Sequence, residues 1–380
     1  MTRIAFFAHD AGDAAVRRRV AGFKAVEADV TGFMMRRAEN EQREWRNIDL
    51  GQTFDAAYWQ RLQAIRQGVS VAMQHEELLR QADLIFARNL DMLICAMAVR
   101  RRLKLQTPVV YECLDVHHLL TREDVVGMAM RKLERSLLKG TNGLVYSSPA
   151  FEREFFRKNH ENLYTPYLLE NRLMPSADLP QRGQVKKVSG TVLRIGWFGI
   201  LRCSRSLDLL QGLARAFPTQ VEIITRGIPA ETQVPDFTAR IAQTPNMFYG
   251  GKYQAPQDLA EIYQQVDVVW AGDFYQAGFN SKWLLPNRLY EGGYFSVPAI
   301  APKDSETGHW VERHGAGFTV AEPLDASLSA LTVTLLEKPD LVTARSAQLK
   351  ALADDIFVQP PDEMQKLIDL ALQGANRVAA

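Results

Sequence analysis

Residues 286–301 read PNRLYEGGYFSVPAIA and combine a helix start, a carboxylate, two glycines and an apolar strand. Pro286 suits the first turn of a helix, where backbone N–H groups lack helical partners and can bind an anion. Glu291 follows one turn later and can accept hydrogen bonds from a ribose diol, as acidic residues do in dinucleotide-binding folds. Gly292 and Gly293 let such a helix pack closely on the strand VPAIA. The stretch predicts a helix–strand unit of an α/β fold with Glu291 in a nucleotide site, and a solvated Glu291 is the alternative.

The bulk composition favours a soluble protein of two domains. A chain of 380 residues exceeds the usual size of a single hydrophobic core. With 47% hydrophobic residues and a net charge of +1, it lacks the basic excess of a nucleic-acid-binding protein. Cys95, Cys113 and Cys203 lack metal-ligand spacing, which indicates reduced thiols in the cytoplasm. The chain shows no signal-peptide pattern and no apolar run near the ~20 residues of a membrane-spanning helix.

Apolar segments alternate with helical patterns along the chain, which predicts parallel sheets with helices on both faces. The predicted strands are 3–8, 28–34, 83–88, 108–112, 142–146, 192–198, 220–225, 246–249, 266–271 and 297–301. Around 175–190 the pattern gives way to Pro, Gly, Ser and charged residues, which is typical of a linker. We therefore expect two Rossmann-like domains, 1–180 and 190–358, with a ligand cleft between them at the carboxyl ends of the strands, and a terminal helical segment, 359–380.

The letters LRIGWFGILRCSRS open the second half and predict a phosphate-binding turn. Gly199 closes a strand, and Arg202 and Arg205 lie in a short loop before a helix whose N-cap is Ser204 or Ser206. Glycine lets the backbone approach a ligand closely, and the helix N-terminus offers N–H groups to a phosphate. The arginines would add charge-assisted contacts to a diphosphate. An ordinary turn with solvated arginines is the alternative.

Three further polar residues around Glu291 belong to the predicted donor site. Asn287 and Arg288 occupy the first turn of the same helix, where free N–H groups and a cation would meet an anion. Lys282 precedes the helix in the loop NSK and could contact sugar hydroxyls or phosphate. A flexible surface loop is an equally good interpretation of that segment.

Three motifs of the second half resemble the nucleotide-sugar domain of GT-B-fold glycosyltransferases, and they occur in the order of that family. They are the Gly-bearing loop after the first strand, the F-x-G of MFYGGKYQAPQDLAEIYQQVDVVW, and P-N-[KR]-L-x-E before x-P-x-I-A. In the first half FFAHDAGDAAVRRRV, YECLDVHHLL, SSPAFEREFF and LLENRL are similar to bacterial exopolysaccharide glycosyltransferases of the ExoL type, which act in succinoglycan assembly. The likeness covers nearly the whole chain. It implies a GT-B fold, a UDP-sugar donor and a last helix that packs back on the N-terminal domain.

The resemblance implies a hexosyltransferase that moves glucose from UDP-glucose onto a lipid-linked oligosaccharide during exopolysaccharide synthesis. Retaining members of the large related family carry a second glutamate eight residues before the ribose-binding one, where this chain has Trp283. The departure favours inversion, which needs a general base opposite the leaving diphosphate. A UDP-sugar 2-epimerase of the same fold, or a non-catalytic nucleotide-sugar-binding member of an assembly complex, is the alternative.

Candidate bases follow strands of the first half. In the resembling families an Asp or His at the end of such a strand is the usual base, which points to Asp115, and after it to His117 and Asp10. Asp115 could instead be the N-cap of a helix VHHLLT, and His9 could be only a structural neighbour. No Asp-x-Asp element in a metal-binding context is visible, so arginines and helix N-termini, rather than a metal, would stabilise the leaving group.

Basic and apolar residues lie side by side in AVRRRV, MMRR, AVRRRLK and MAMRKLERSLLKG of the first half. Such segments suit peripheral docking on an anionic membrane surface, where a lipid-linked acceptor would be presented. Solvated helix faces balanced by acids, such as those of AENEQREW, are the alternative. The resemblance, with its polyprenyl-diphosphate-linked acceptors, favours a cytoplasmic enzyme on the inner face of the plasma membrane.

Overall fold

Continuous apolar segments form the strands of two parallel sheets, because strands with helices on both sides are buried on both faces. The computed structural model describes residues 1–37, 45–53, 58–186, 191–276 and 279–378, without the side chains of 58–59 and 374–378. The acids of AENEQREW and the end of the predicted linker, 187–190, lie outside these ranges. The chain divides into two compact units, the first formed by Met1–Glu170 with Pro360–Ala380 and the second by Asn171–Gln359.

The first unit is built on a seven-stranded parallel sheet in the order β3-β2-β1-β4-β5-β6-β7. Its strands are β1 Arg3–Ala8, β2 Asp29–Arg36, β3 Arg46–Gln52, β4 Leu84–Arg88, β5 Val109–Cys113, β6 Gly143–Tyr146 and β7 Pro166–Leu168. Its helices are α1 Ala14–Ala25, α2 Tyr58–Met73, α3 Glu76–Gln81, α4 Leu90–Arg102, α5 Val125–Leu138, α6 Pro149–Phe151 and α7 Arg157–His160, with a π-helical turn at Glu152–Phe156. The strand order reverses between β1 and β4, and such a reversal leaves a crevice at the carboxyl ends of the strands.

The second unit contains a six-stranded parallel sheet in the order β10-β9-β8-β11-β12-β13. Its strands are β8 Leu193–Leu201, β9 Val221–Pro229, β10 Met247–Tyr249, β11 Val268–Trp270, β12 Ala299–Pro302 and β13 Gly317–Val320. Its helices are α8 Ser204–Ala216, α9 Phe237–Ala242, α10 Leu259–Gln264, α11 Asn280–Trp283, α12 Asn287–Tyr294, α13 Glu306–His314, α14 Leu324–Glu337 and α15 Asp340–Ala351. Here the strand order reverses between β8 and β11.

The last helix, α16 Pro361–Val378, belongs to the first unit. Its residues Met364, Leu367 and Ile368 are buried in one cluster with Phe23 of α1. The apolar stripe recurs at the helical spacing of three to four residues, so one face of α16 completes the core on that side of the sheet.

The predicted α/β class with two parallel-sheet units is confirmed, whereas several local predictions are wrong. The sequence pattern missed β3, β7 and β13 and the helices α13, α14 and α15. The helix VHHLLT, given as the alternative for Asp115, does not form, and its residues lie in an irregular segment with a turn at 118–120. None of the helices in the described part of the chain is long and apolar enough to cross a membrane.

The Pro- and Gly-rich stretch that reads as a linker is hydrogen-bonded to the second unit over its described part. Arg182 donates to the carbonyl oxygen of Leu352 at 2.8 Å, and the Gly183 amide donates to the carbonyl oxygen of Tyr294 at 3.2 Å. The turn-forming composition of the stretch therefore produces an irregular but packed segment of that unit, at least to residue 186.

Two glycines let β8 and β9 stay paired to their carboxyl ends. Gly199 lies opposite Gly227, and both have left-handed backbone angles, with φ of 106° and 136°. A Cβ at residue 227 would lie 1.8 Å from the carbonyl oxygen of Gly199, so only glycine fits there. By contrast, no atom lies within 4 Å of a Cβ placed on Gly199, which leaves this edge open to a ligand.

We predict that Gly227→Ala destabilises the second unit by about 2–3 kcal/mol, because the new methyl group strains the backbone and displaces β8. The control is Gly212→Ala in α8, where a Cβ meets no atom within 4 Å. That change should stabilise the helix by roughly 0.5–1 kcal/mol. Urea unfolding of both variants measures the effects, and equal stability of the two would contradict the close approach of β8 and β9.

Candidate functional site

Polar side chains converge where the ends of β8 and β11 lie side by side in the second unit. Arg202 follows β8, and its Nη2 lies 3.6 Å from Oδ2 of Asp273, which follows β11. Arg288, in the first turn of α12, donates to the carbonyl oxygens of Phe198 and Gly272 at 3.4 and 2.9 Å. Two guanidinium groups and one carboxylate therefore lie at the carboxyl ends of β8 and β11. The sequence predicts the diphosphate of the donor at this edge of the sheet.

The N-terminus of α8 is capped by a thiol rather than by the predicted Ser204 or Ser206. Sγ of Cys203 accepts hydrogen bonds from the amides of Ser206 and Phe274 at 3.3 and 3.2 Å. The Ser206 hydroxyl accepts a hydrogen bond from the Trp270 indole at 3.0 Å. These contacts fix the positive end of α8 to the end of β11, so the helix dipole adds to the positive potential there.

Arg205 lies in the first turn of α8 and not in the preceding loop. Its Nη2 is 2.6 Å from Oε1 of Glu322, and its guanidinium lies 4.6 Å from the centre of the Phe274 ring. Arg202 lies similarly 4.8 Å from the ring centre of Tyr275. An exposed ion pair of this kind contributes only ~0–1 kcal/mol, so a diphosphate could exchange with Glu322 as the partner of Arg205.

Glu291 is buried, which excludes the alternative of a solvated helix residue. Its exposed fraction is 2%, and Oε2 accepts a hydrogen bond from the Tyr263 hydroxyl at 3.2 Å. Burial and the charge of Glu291 raise the pKa of Tyr263 well above its usual value, so the phenol remains a donor. Arg288 lies one turn earlier on the same helix face. A Cβ on Gly292 would lie 3.3 Å from the Tyr263 ring, so this glycine admits the tyrosine to the carboxylate.

Asn287 and Lys282 lie near the start of α12. Pro286 is the N-cap residue, and the Asn287 side chain accepts a hydrogen bond from Asn171 at 2.7 Å. Lys282 is exposed and lies in the short helix α11 rather than in a loop. Trp283, at the position of the family's other glutamate, packs edge-on against Phe279 with ring centres 6.0 Å apart.

In the first unit, Asp10 follows β1 and is part of a tight turn. Its Oδ1 accepts a hydrogen bond from the Gly12 amide at 3.1 Å, and its Oδ2 lies 3.7 Å from Nε of Arg37. Both carboxylate oxygens thus have polar neighbours within the first unit.

Asp115 and His117 follow β5, which lies two strands from β1 in the sheet. Asp115 is exposed and lies in a turn. His117 has Nε2 3.3 Å from Nη1 of Arg61, and its Nδ1 lies 3.3 Å from the Leu119 amide. Burial, assisted by His118 and Arg61, lowers the pKa of His117 to about 4. His117 is therefore neutral at pH 7 but weakly basic.

Reasoning from the sequence passed over Asp273, Tyr263 and the surroundings of His9. Ligand-binding residues in α/β folds commonly follow the carboxyl ends of the strands. This rule identifies Asp273 as a candidate, because it follows the predicted strand 266–271. Tyr263 gave no signal, because a tyrosine in a helix reads as a core residue. His9 lies beside Asp13 and Asn89, and it was set aside in favour of its neighbour Asp10.

No family model matches the chain. It is 38% identical over 343 residues to the succinoglycan biosynthesis protein ExoL of Rhizobium meliloti (strain 1021). The aligned region covers 87% of this chain and 85% of the relative. The chain belongs to the ExoL family. The resemblance drawn from the sequence motifs is thereby confirmed.

The solved structures similar to this ExoL-family chain are GT-B proteins, so the predicted GT-B fold is confirmed. HepE of Anabaena in complex with UDP and glucose has a TM-score of 0.71 at 15% identity and covers 98% of this chain and 100% of its own. Sucrose-phosphate synthase of Thermosynechococcus elongatus has a TM-score of 0.69 at 14% identity and covers 100% and 98%. WaaG, a glycosyltransferase of lipopolysaccharide biosynthesis, has a TM-score of 0.64 at 12% identity and covers 98% and 99%.

We predict that Glu291→Gln weakens UDP binding about 10- to 100-fold, because it removes a buried charge-assisted acceptor worth ~1.5–3 kcal/mol. The matched control is Glu337→Gln, a glutamate at the end of α14. Isothermal titration with UDP gives the affinities, and thermal unfolding verifies that both variants fold. Unchanged affinity in a folded Glu291→Gln protein would remove this residue from the nucleotide site.

Proposed function

We propose that this chain is a nucleotide-sugar-dependent hexosyltransferase that moves glucose from UDP-glucose onto a lipid-linked saccharide in exopolysaccharide synthesis, with inversion. The observation that carries the proposal is the cluster at the strand reversal of the second unit, where Arg202, Arg288 and Asp273 meet beside the buried Glu291. It lies on a fold that holds UDP and glucose in HepE. Membership of the ExoL family supports a role in exopolysaccharide synthesis.

The second unit would bind the donor through two kinds of contact. Glu291, oriented by Tyr263, accepts hydrogen bonds from the hydroxyl groups of the ribose, since a carboxylate has two acceptor oxygens. Arg202, the open backbone at Gly199 and the N-terminus of α8 face the diphosphate. Arg205, Asn287 and Lys282 remain candidate ligands of the phosphate and sugar. Preorganised positive groups stabilise the charge that develops on UDP as it leaves.

Inversion takes place in a single displacement at the anomeric carbon. The acceptor hydroxyl oxygen forms a bond to that carbon while the bond to the β-phosphate oxygen breaks, and the electron pair departs with UDP. A base supplied by the first unit takes the hydroxyl proton. Asp115, His117 and Asp10 are the bases that the sequence predicts. Among the described residues no group of three or more His, Cys, Asp or Glu could hold a metal ion.

A nucleotide screen tests the proposed donor. UDP at about 100 times its Kd should stabilise the protein by ~2.7 kcal/mol, whereas ADP and GDP should give smaller shifts in thermal unfolding. Incubation with UDP-glucose and a lipid-linked saccharide should then yield UDP and an extended saccharide of inverted configuration. A free sugar from UDP-N-acetylglucosamine without acceptor would identify a 2-epimerase instead. Tight UDP binding without turnover of any donor would indicate a binding protein.

The acceptor proposal includes docking of α5 on an anionic membrane surface. Val125, Val126, Met128 and Leu133 of this helix have exposed fractions of 73, 47, 55 and 40%. Lys132, Arg135 and Lys139 are exposed on the same helix. Because the helix has 3.6 residues per turn, the exposed apolar and basic side chains lie on one continuous face of α5. An apolar stripe bordered by cations fits an anionic bilayer, because both burial of the stripe and charge attraction favour contact.

Contacts of Glu134 and Asp124 fix the orientation of α5, so that its apolar and basic face points outward. Glu134 accepts hydrogen bonds from the Tyr111 hydroxyl at 3.1 Å and from Nε2 of His160 at 2.8 Å. Asp124 caps the helix by accepting a hydrogen bond from the Gly127 amide at 3.0 Å. Because the Glu134 carboxylate is buried, the charged side chains exposed on the helix beyond its first turn are all positive.

We predict that the chain binds vesicles containing anionic phospholipid and that Met128→Ser/Leu133→Ser weakens binding at least 10-fold, through loss of apolar contact. Lys132→Gln/Lys139→Gln should weaken it about 30-fold, at ~1 kcal/mol for each charge. The control Val333→Ser/Leu341→Ser alters equally exposed apolar residues of the second unit. Co-sedimentation measures binding. Equal binding of all variants, or loss of a dimer rather than of vesicle binding, would contradict the docking role.

A further inference from the structure

Two arginines of the candidate donor site lie over consecutive aromatic rings. The guanidinium of Arg205 lies 4.6 Å from the ring centre of Phe274, and that of Arg202 lies 4.8 Å from the ring centre of Tyr275. Both rings follow β11 in the chain, and both arginines follow β8, the neighbouring strand. The segment after β11 therefore holds the two cations at one edge of the sheet, and each of them also faces an acid of the same unit.

The two acids that face these arginines are held to different degrees. Asp273, beside the first arginine, is 11% exposed, and its Oδ1 accepts a hydrogen bond from the Ser281 hydroxyl at 3.2 Å. Glu322 is 60% exposed, and its Oε1 lies 2.6 Å from Nη2 of Arg205. Its Oε2 accepts a longer hydrogen bond from the Leu324 amide, at 3.3 Å. Because an exposed ion pair is only weakly stabilised, the pair of Arg205 and Glu322 is the one that a ligand can open.

The structure leaves room for this ion pair to open. A cavity of about 520 Å³ lies between α8 and α14, and both Arg205 and Glu322 line it. Three leucines that also line the cavity, Leu213, Leu324 and Leu328, are buried in one core cluster of the second unit. Separation of the two charged groups therefore needs only rotation of exposed side chains, and the packing of α8 on α14 stays intact.

We propose that Glu322 competes with the diphosphate of the donor for Arg205 and so regulates how tightly the second unit holds UDP. The inference rests on the proposed function, which makes Arg205 a ligand of the diphosphate. Phosphate oxygens suit the planar fork of a guanidinium as carboxylate oxygens do, and a diphosphate carries more negative charge than one glutamate. UDP therefore displaces Glu322 from Arg205 when it binds. As UDP leaves after the transfer, the carboxylate pairs with Arg205 again.

This competition lowers the affinity of the site for every ligand that contacts Arg205. The ion pair has to open before the arginine binds a phosphate, so its free energy is subtracted from that of ligand binding. For an exposed pair the resulting factor in Kd is roughly two- to five-fold. A ligand without phosphate, such as uridine, leaves the pair of Arg205 and Glu322 closed and is not weakened. The structure thus assigns Glu322 the role of promoting the release of UDP.

The first test is Glu322→Gln, with UDP, inorganic pyrophosphate and uridine as the ligands in isothermal titration. Removal of the competing charge should tighten the binding of UDP and of pyrophosphate about two- to five-fold and leave that of uridine unchanged. The matched control is Asp325→Asn in the first turn of α14, because Asp325 lines the same cavity. This change removes one negative charge but leaves the ion pair of Arg205 in place, so the three affinities should stay at the wild-type values.

A double-mutant cycle separates competition for Arg205 from general repulsion between Glu322 and the phosphates. In an Arg205→Gln protein, the further change Glu322→Gln should leave UDP affinity unchanged, because the contested group is absent. Equal tightening in both backgrounds would overturn the competition. Unchanged UDP affinity in the single variant Glu322→Gln would overturn this inference and leave the proposed donor site standing. A wild-type protein that binds neither UDP nor pyrophosphate would overturn the donor site, and this inference with it.

The second test is the salt dependence of the same affinities. Salt screens an exposed ion pair, since the Debye length falls from about 10 Å at 0.1 M to about 3 Å at 1 M. The ratio of the wild-type Kd for UDP to that of Glu322→Gln should therefore fall toward one over this range. A ratio that does not change with salt would mean that the variant acts through the shape of the segment before α14, which would contradict the competition.

Discussion

A buried arginine joins the ends of two neighbouring strands in the second unit, and the candidate donor site depends on that connection. Arg288 spans the carbonyl oxygens of Phe198 and Gly272, at the end regions of β8 and β11. Burial lowers the pKa of its guanidinium, while Asp273 opposes this effect. Removal of the arginine would leave two carbonyls and a carboxylate without this partner, at a cost of ~1–3 kcal/mol for each buried group. The site is therefore preorganised by a residue that need not contact the ligand itself.

The first unit has a corresponding buried charge cluster. Arg19 and Arg88 both bind the carboxylate of Glu112, with Nε–O distances of 2.8 and 2.6 Å. Burial would raise the pKa of Glu112, but the two guanidinium groups bring it below its usual value. Breaking such a network commonly costs ~3–5 kcal/mol, because a buried charge loses its partner. Arg88 is also the last residue of β4, so the cluster fixes the carboxyl end of that strand.

Periodicity predicted the two sheets well, because a strand buried on both faces is a short apolar run between turn residues. It failed for β3, whose letters RNIDLGQ contain few apolar residues, and for the short β7 and β13. The PNRLYEGG motif correctly predicted α12 and its close packing on the next strand, because two adjacent glycines in a helix indicate a close approach of another element. Contacts between distant residues were not accessible: nothing local indicates that Cys203 accepts from the Phe274 amide or that Arg205 pairs with Glu322.

The same topology produces opposite chemistry at the two strand reversals. In the second unit the segments after the central strands bring Arg202 and Arg288 together with a helix N-terminus, which suits the proposed diphosphate site. In the first unit the equivalent loops carry one imidazole and two carboxylates, those of His9, Asp10 and Asp13. In the proposed reaction, activation of the donor and deprotonation of the acceptor would use different electrostatic environments. A fold with two separate strand reversals can supply both, because each sheet sets the charge of its own crevice.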